Sequence, residues 1–245
     1  MKDAPEVPAA RRPAGRVART GGGKRRTQAR RMPREERRAQ ILAQASRFFA
    51  EYGLTAHTRG LAQACGVSQR LLYSFFPSKA ALLEEVYRSE IAGAFKAVWF
   101  AELKDRSLPV EQRLVRFYGE YYEEVITRRW LRLFLYASLA EVAMAPAYIA
   151  AIVTHMLEII VAEAAHEQGL RVPADPALVQ EVGWILHGAV SHLAIRRHVY
   201  ANSNPVPARD VIALQVRAFL GGLRAVLPAK ASSSARRQPR AALAG

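Results

Sequence analysis

Between Thr58 and Lys79 the stretch TRGLAQACGVSQRLLYSFFPSK gathers side chains suited to hydrogen bonding with a nucleic acid. A glutamine amide pairs in two places with adenine and a guanidinium with guanine, so Gln69 and Arg70 suit base edges. The hydroxyls of Thr58, Ser68 and Tyr73 and the ammonium of Lys79 suit phosphate oxygens, and Ser74 completes the outward face Ser68, Gln69, Arg70, Tyr73, Ser74. Such a face works only on a firmly held helix. Thr58 is placed to cap one short helix that turns Leu61 and Ala62 inward. Gly66 supplies a tight turn with Val67 plugging the space beneath it, and Ser68 caps a second helix fastened by Leu72, Phe75 and Phe76. The small Ala62 at the crossing, followed by Gly66 and then Leu72, is the spacing of a helix-turn-helix. A second helix of roughly eight residues is about 12 Å long, which matches the width of the major groove.

Other constellations carry less chemistry. Glu163-Ala-Ala-His166 has the Glu-x-x-His spacing of di-iron carboxylate bundles, but such a site requires a second copy, and the sequence has none. His155 with Glu158, and His187 with Ser191, share helix faces at spacings that ordinary structural histidines also show. HExxH, a glycine-rich phosphate loop and GxSxG are absent, so no enzyme, metal site or cofactor is expected. Cys65 is the single cysteine; it excludes an internal disulfide and a multi-cysteine zinc site, and it reads as a small buried hydrophobe.

These residues need elements to position them, and the distribution of charge shows where a folded body lies. The 245 residues are 51% apolar, enough for a substantial core, and carry a net charge of +15. That excess sits at the ends: residues 1–40 contribute +9 and residues 228–245 contribute +4, leaving +2 for the middle. Residues 1–33, rich in Arg, Pro and Gly, and residues 228–245 lack the apolar side chains to offset ordering entropy, and read as a disordered basic arm and tail. A near-neutral body with basic ends suits a folded module helped onto a polyanion by flexible arms.

Between the ends the apolar pattern is helical almost throughout, so the fold class is all-α. Ile41, Leu42, Ala45, Phe48, Phe49 and Tyr52 make one stripe that Gly53 ends. Helices are expected near 34–52, 58–65, 69–75, 79–101, 110–128, 130–143, 147–168, 176–199 and 208–226. The domains are then a DNA-binding head over 34–80 and a helical body over 81–227. The apolar run Leu133–Val153 carries Glu141 and Pro146, so it reads as two core helices and no membrane span is expected. With no signal peptide and one cysteine, a reducing, cytoplasmic setting is expected.

The body has no signature beyond its helix pattern. Leu114, Phe117, Tyr118, Tyr121 and Val125 share a face, and Trp99, Trp130, Phe134, Tyr148 and Trp184 add aromatic bulk. If a cavity exists, Tyr121, His155, Trp184 and His187 are its expected lining, and a ligand there is small, apolar or aromatic and weakly charged at most. Ile212, Phe219, Leu223 and Val226, with Gly221-Gly222, form a stripe that suits close helix approach. With Val179, Val182, Leu186, Val190 and Leu193 it suits either half of a four-helix dimer interface or packing within one subunit.

From Arg38 through Val86 the runs RAQILAQASRFFAEYGL, TRGLAQACGVSQRLLYSFFPSK and ALLEEV resemble the N-terminal domain of TetR/AcrR transcriptional regulators. The features that carry the resemblance are the Ile-Leu and Phe-Phe-Ala first helix with its Glu-x-Gly ending, the Leu-Ala-x-x-Cys-Gly-Val-Ser turn, and Leu72-Tyr73 with Phe76 and Ser78-Lys79. The resemblance implies a homodimer with a three-helix DNA-binding head and a helical ligand and dimerisation body, usually a repressor released from a palindromic operator by a small molecule. Carried onto matching positions, Thr58, the Ser68–Ser74 face, Tyr73 and Lys79 become the DNA contacts. Two departures stand out: the loop from Gly53 to Thr58 is one residue shorter than in many members, and His57 stands where a second Thr is common. The alternative is an architectural protein that binds DNA without sequence preference.

Overall fold

The first helix, α1 (Arg34–Tyr52), forms where Ile41, Ala45 and Phe49 fall on one face, and all three are completely buried. It stops at Gly53, whose φ of +83° is a conformation that L side chains rarely adopt. The computed structural model describes residues 32–140 and 144–230, and from Arg34 on the chain forms one compact unit. Nearly all of the basic arm, most of the basic tail and Glu141 lie outside the described residues.

Two short helices follow, α2 (Thr58–Ala64) and α3 (Gln69–Phe75), with α2 packed on α1 and α3 packed on α2. Ser78 caps α4 (Lys79–Val86) by accepting a 3.0 Å hydrogen bond from the Ala81 amide. α4 widens into a π-helical stretch, Tyr87–Ala92, and ends at Gly93, whose amide donates to the Arg88 carbonyl five residues back. A Cβ on Gly93 would lie 2.8 Å from the Ser89 carbonyl oxygen. The single helix expected over 79–101 is therefore two, the second being α5 (Val98–Leu103).

The body continues with α6 (Val110–Glu124), α7 (Arg128–Leu139), α8 (Met144–Tyr148), α9 (Thr154–Glu167), α10 (Pro176–His198) and α11 (Ala208–Val226). α8 runs without a break through a π-helical stretch, Ile149–Val153, into α9. Pro146 is tolerated because it lies in the first turn, where no amide is needed for the helix ladder. Among the described residues every named element is helical, with one isolated bridge between Leu170 and Ala229. Ala145–Glu167 is long and apolar enough to cross a membrane by composition, but Met156, Leu157, Ile160, Val161 and Ala164 are buried in the core.

α9 is the centre of the body, with α5, α6 and α10 against it, while α11 packs on α6 and α10. Gly183 permits the α9–α10 crossing, since a Cβ there would approach the Leu157 Cβ to 2.7 Å. The stripes Val179, Val182, Leu186, Val190, Leu193 and Ile212, Phe219, Leu223 are buried within one subunit. Of the apolar residues singled out on these two helices, only Val226 is left substantially exposed, with Leu178, Ile185 and Leu214 beside it in exposure.

Candidate nucleic-acid interface and body cavity

α3 is held on one side and free on the other. Leu72 and Phe76 are buried and Phe75 is half-buried, whereas Ser68, Gln69, Arg70, Tyr73 and Ser74 face outward. The Ser68 hydroxyl oxygen caps the helix by accepting from the Leu71 amide at 3.1 Å, and Gly66 makes the preceding turn at φ +65°. Arg34 and Arg38 of α1 lie over the Phe75 and Phe76 rings, and Arg34 also donates to the Ser74 carbonyl at 3.1 Å. Both arginines thus brace α3 from the first helix.

Three of the expected contacts stand differently from their sequence reading. Thr58 does not cap α2: it is the first helical residue, and His57 holds the extended cap position without a side-chain bond. The Ser74 hydroxyl donates to the Leu71 carbonyl of its own helix at 2.7 Å, so its proton is already used. The Lys79 ammonium donates to the Ala56 carbonyl at 2.8 Å and lies 5.9 Å from the Phe49 ring centre; burial lowers its pKa from the ordinary value. It ties the loop before α2 to the start of α4 and keeps two further protons for an anion.

Sequence reasoning passed over Leu71, an apolar side chain left 40% exposed amid this polar face. Its signal was available, because in a seven-residue helix anchored through Leu72 the neighbouring position must point away from the core. Cys65 is buried, donates weakly to the Ile41 carbonyl at 3.7 Å, and has its thiol pKa pushed up to about 11 by burial. It is packing, not a nucleophile.

In the body, Tyr121, Trp184 and His187 line one cavity of about 130 Å³, completed by Trp130, Phe134, Tyr148 and Ser191 among others. His155 is elsewhere: it lies on the outer face of α9, half-exposed, against the Phe100 ring and 3.6 Å from Glu158. The phenols of Tyr121 and Tyr148 meet at 3.2 Å, and burial raises the pKa of both, Tyr148 to about 12. His187 is almost completely buried, its Nδ1 has no hydrogen-bond partner, and burial lowers its pKa to about 4, so the ring is neutral at pH 7. Among the described residues no Lys, Arg, Asp or Glu lines the cavity.

Glu163, the first residue of the Glu-x-x-His spacing, serves an ion cluster. Arg106 donates two hydrogen bonds of 2.9 Å to its carboxylate, and the buried Arg113 adds one of 3.1 Å. The Arg106 bonds chiefly, with those of Arg113, hold its carboxyl below the usual range. His166 is exposed on the last turn of α9.

One wall of the cavity is also the seat of the first helix. Trp130, Leu131, Phe134 and Leu135 of α7 face the cavity, while Arg132 of the same helix donates to the Ala50 and Glu51 carbonyls at the end of α1 and to the Tyr136 hydroxyl. Arg128 pairs with Glu51 at 3.3 Å, and Gly53 sits against the Tyr136 ring. Cationic side chains here satisfy carbonyls that a helix end leaves unpaired. Trp130 also donates to the Ile91 carbonyl of the first π-helical stretch at 3.4 Å, and Ile149 and Val153 of the second line the cavity.

A capped helix with a polar outer face, joined by a tight turn to a second helix and set beside a helical body that contains a cavity, is the arrangement of a helix-turn-helix protein. Residues 41–86 match the family described as bacterial regulatory proteins, tetR family. The match covers 46 of the 245 residues, those of the helix-turn-helix segment and its flanking helices, and supports a DNA-binding transcriptional regulator. No curated protein sequence matches the chain significantly.

Solved structures share the fold. A TetR-family transcriptional regulator from Thermus thermophilus is 23% identical with a TM-score of 0.55, over 75% of this chain and 98% of that one. A TetR-like transcriptional regulator from a Rhodococcus species is 19% identical with a TM-score of 0.57, over 78% and 100%. The ketosteroid transcriptional regulator of Mycobacterium tuberculosis is 20% identical with a TM-score of 0.56, over 79% and 96%.

Proposed function

We propose that the protein is a cytoplasmic, dimeric repressor that reads a palindromic operator through α3 and is released when a small apolar molecule occupies the body cavity. The observation that carries this reading is the face of α3, where Gln69 and Arg70 are presented bare on a helix whose other side is locked by Leu72 and Phe76. Ser68, Tyr73 and Ser74 flank them, and Thr58 and Lys79 lie at the starts of α2 and α4, in reach of the backbone of a bound duplex. In the body, Tyr121, Trp184 and His187 act as ligand contacts, and His155 does not.

A second copy is the natural cover for the outer face of α10 and α11. Leu178, Ile185, Leu214 and Val226 are each about half exposed, and the groove between the two helices is lined by Ile185, Ala189, Ala218 and Gly222. Gly222 has open space where a Cβ would stand, which leaves room for a partner helix to approach.

Selection of duplexes from a randomised pool with the purified protein tests the reading. The expected product is a palindrome whose half-site centres lie about 34 to 36 Å apart, or slightly more. Gln69→Ala or Arg70→Ala should then relax preference at one position by about 1 to 3 kcal/mol, whereas Lys79→Ala should weaken all sequences alike. Retention of wild-type preference and affinity by all three variants would remove α3 from the interface. Uniform protection of DNA, with no enriched sequence, would favour an architectural protein whose basic ends do the binding.

Arg132 is one of the links through which the cavity wall reaches α1. Arg132→Met keeps the apolar stem and removes the bonds to Ala50 and Glu51, so hydrogen exchange at the Gly53–Ala56 amides should rise several-fold while that of α9 stays unchanged. Equal exchange in both regions before and after the substitution would show that Arg132 does not hold the end of α1.

A further inference from the structure

The size and polarity of the body cavity narrow what can occupy it. Its volume of about 130 Å³ is close to the roughly 150 Å³ at which an apolar protein cavity accepts benzene, and well below the roughly 300 Å³ where drug-sized pockets begin. Trp130 and Phe134 stack at 4.7 Å on one wall, and Tyr148 meets both rings edge-on. Such walls favour a flat ring.

Two hydrogen-bonding positions on the lining residues are not spent. The Tyr121 and Tyr148 hydroxyls own two protons, of which one lies between them, leaving the other uncommitted. Nδ1 of His187 is buried with no partner at all. His187 lies within 5.8 Å of the Tyr121 ring and 5.1 Å of the Trp184 ring, centre to centre, so the three residues are neighbours in the cavity lining. An unpaired polar atom in an apolar enclosure is costly, and a ligand atom that satisfies it gains by the same amount. A carboxylate or an amine would lose its hydration with no counter-charge to meet it.

We propose that the cavity takes a neutral single-ring molecule bearing one hydroxyl or carbonyl group, which hydrogen-bonds to the atoms left free by His187 and the Tyr121–Tyr148 pair. The inference rests on the reading of the body as an effector domain and names the class of effector. A molecule of several fused rings exceeds the volume, whatever the related regulators of this fold bind. Burial also keeps the imidazole neutral, so it adds no charge that would draw an anion.

Calorimetric titration of the full-length protein with phenol, toluene and benzoate, without DNA, tests this. Phenol should bind at one site per chain, toluene roughly 3- to 10-fold more weakly for want of the hydrogen bond, and benzoate not measurably. His187→Leu, of similar size, should narrow the ratio of phenol to toluene affinity, because one of the two free positions is lost. The double variant Tyr121→Phe, Tyr148→Phe, which removes both hydroxyls, should narrow the same ratio and stands in if the first variant does not fold. Leu135→Trp, which fills the cavity, should abolish both.

Absence of saturable phenol binding, binding of benzoate as tight as phenol, or a phenol to toluene ratio unmoved in the folded variants would each overturn the proposal. Because the titration omits DNA, the two readings fail separately. A protein that selects an operator but ignores phenol keeps its regulatory function and loses this effector class. One that binds phenol in the cavity but no DNA keeps the ligand site and loses the function.

Discussion

Glu163→Ala should destabilise the protein by about 3 to 5 kcal/mol, because it strands a buried guanidinium. The Arg113 side chain is 3% exposed, and its bonds go to Glu163 and to the carbonyls of Leu103 and Leu108. Carbonyls satisfy its N–H groups but supply only partial negative charge, so removal of the carboxylate leaves a full charge in a low-dielectric setting. Glu167 stands 3.7 Å away and is itself engaged by the Val110 amide at 2.7 Å. Arg106→Ala, by contrast, removes a half-exposed partner and should cost about 1 kcal/mol or less. Denaturant unfolding of both variants measures the contrast. Combining Glu163→Leu with Arg113→Met should recover most of the loss, since an apolar pair has no charge to desolvate. A Glu163→Ala cost no larger than that of Arg106→Ala would mean that water reaches Arg113.

Those charges also explain a part of the fold that pattern alone hides. α5 and the loop before α6 are anchored to α9 by an ion cluster that joins Arg106 and Arg113 to Glu163, residues 57 and 50 positions apart. Nothing local marks Arg113 as buried, since it sits in a helix whose legible face is Leu114, Phe117, Tyr118 and Tyr121, all of which the structure buries. The boundaries of α1, α3, α10 and α11 were readable because glycine, serine and proline punctuate strong apolar stripes. The break at Gly93 was not, because a π-helical stretch shifts the phase of the apolar pattern without interrupting it.

The site was legible to a similar degree. The outer face of α3 follows from one anchored residue, Leu72, and the helical angle. Three of the four expected cavity residues come together because Tyr121 lies on the buried face of α6 and Trp184 and His187 lie along the inner side of α10. His155 failed for a reason of phase: Met156, Leu157, Ile159 and Ile160 set the buried side of α9 and turn His155 and Glu158 outward together. Tyr148 joins Tyr121 across 27 residues, a pairing that helical periodicity cannot reveal. The stripes of α10 and α11 fitted a dimer interface and an internal core equally well, and the chain uses their strongest positions for the core.

The neutral imidazole in the cavity should make stability fall on mild acidification. His187 has a folded-state pKa of about 4 against an ordinary 6.5, so folding favours its neutral form. Its contribution is complete above pH 6.5 and drains away as the pH falls towards 4, because the unfolded chain takes up a proton that the folded chain refuses. The whole window amounts to about 3 kcal/mol, of which about 2 is gone by pH 5. Among the described residues no carboxylate lines the cavity to rescue the protonated ring; the groups packed around it are the Tyr118, Tyr121 and Trp184 side chains. Glu163, whose pKa is lowered, also loses stabilisation in acid, but that loss is common to any variant that keeps the Arg106 and Arg113 pairs. Denaturant unfolding at about pH 7.5 and about pH 5 should therefore show a drop for the wild type that exceeds the drop for His187→Leu by about 2 kcal/mol. Equal drops would show that the folded protein protonates His187 as readily as the unfolded chain does. That result would require water or a charge beside the imidazole.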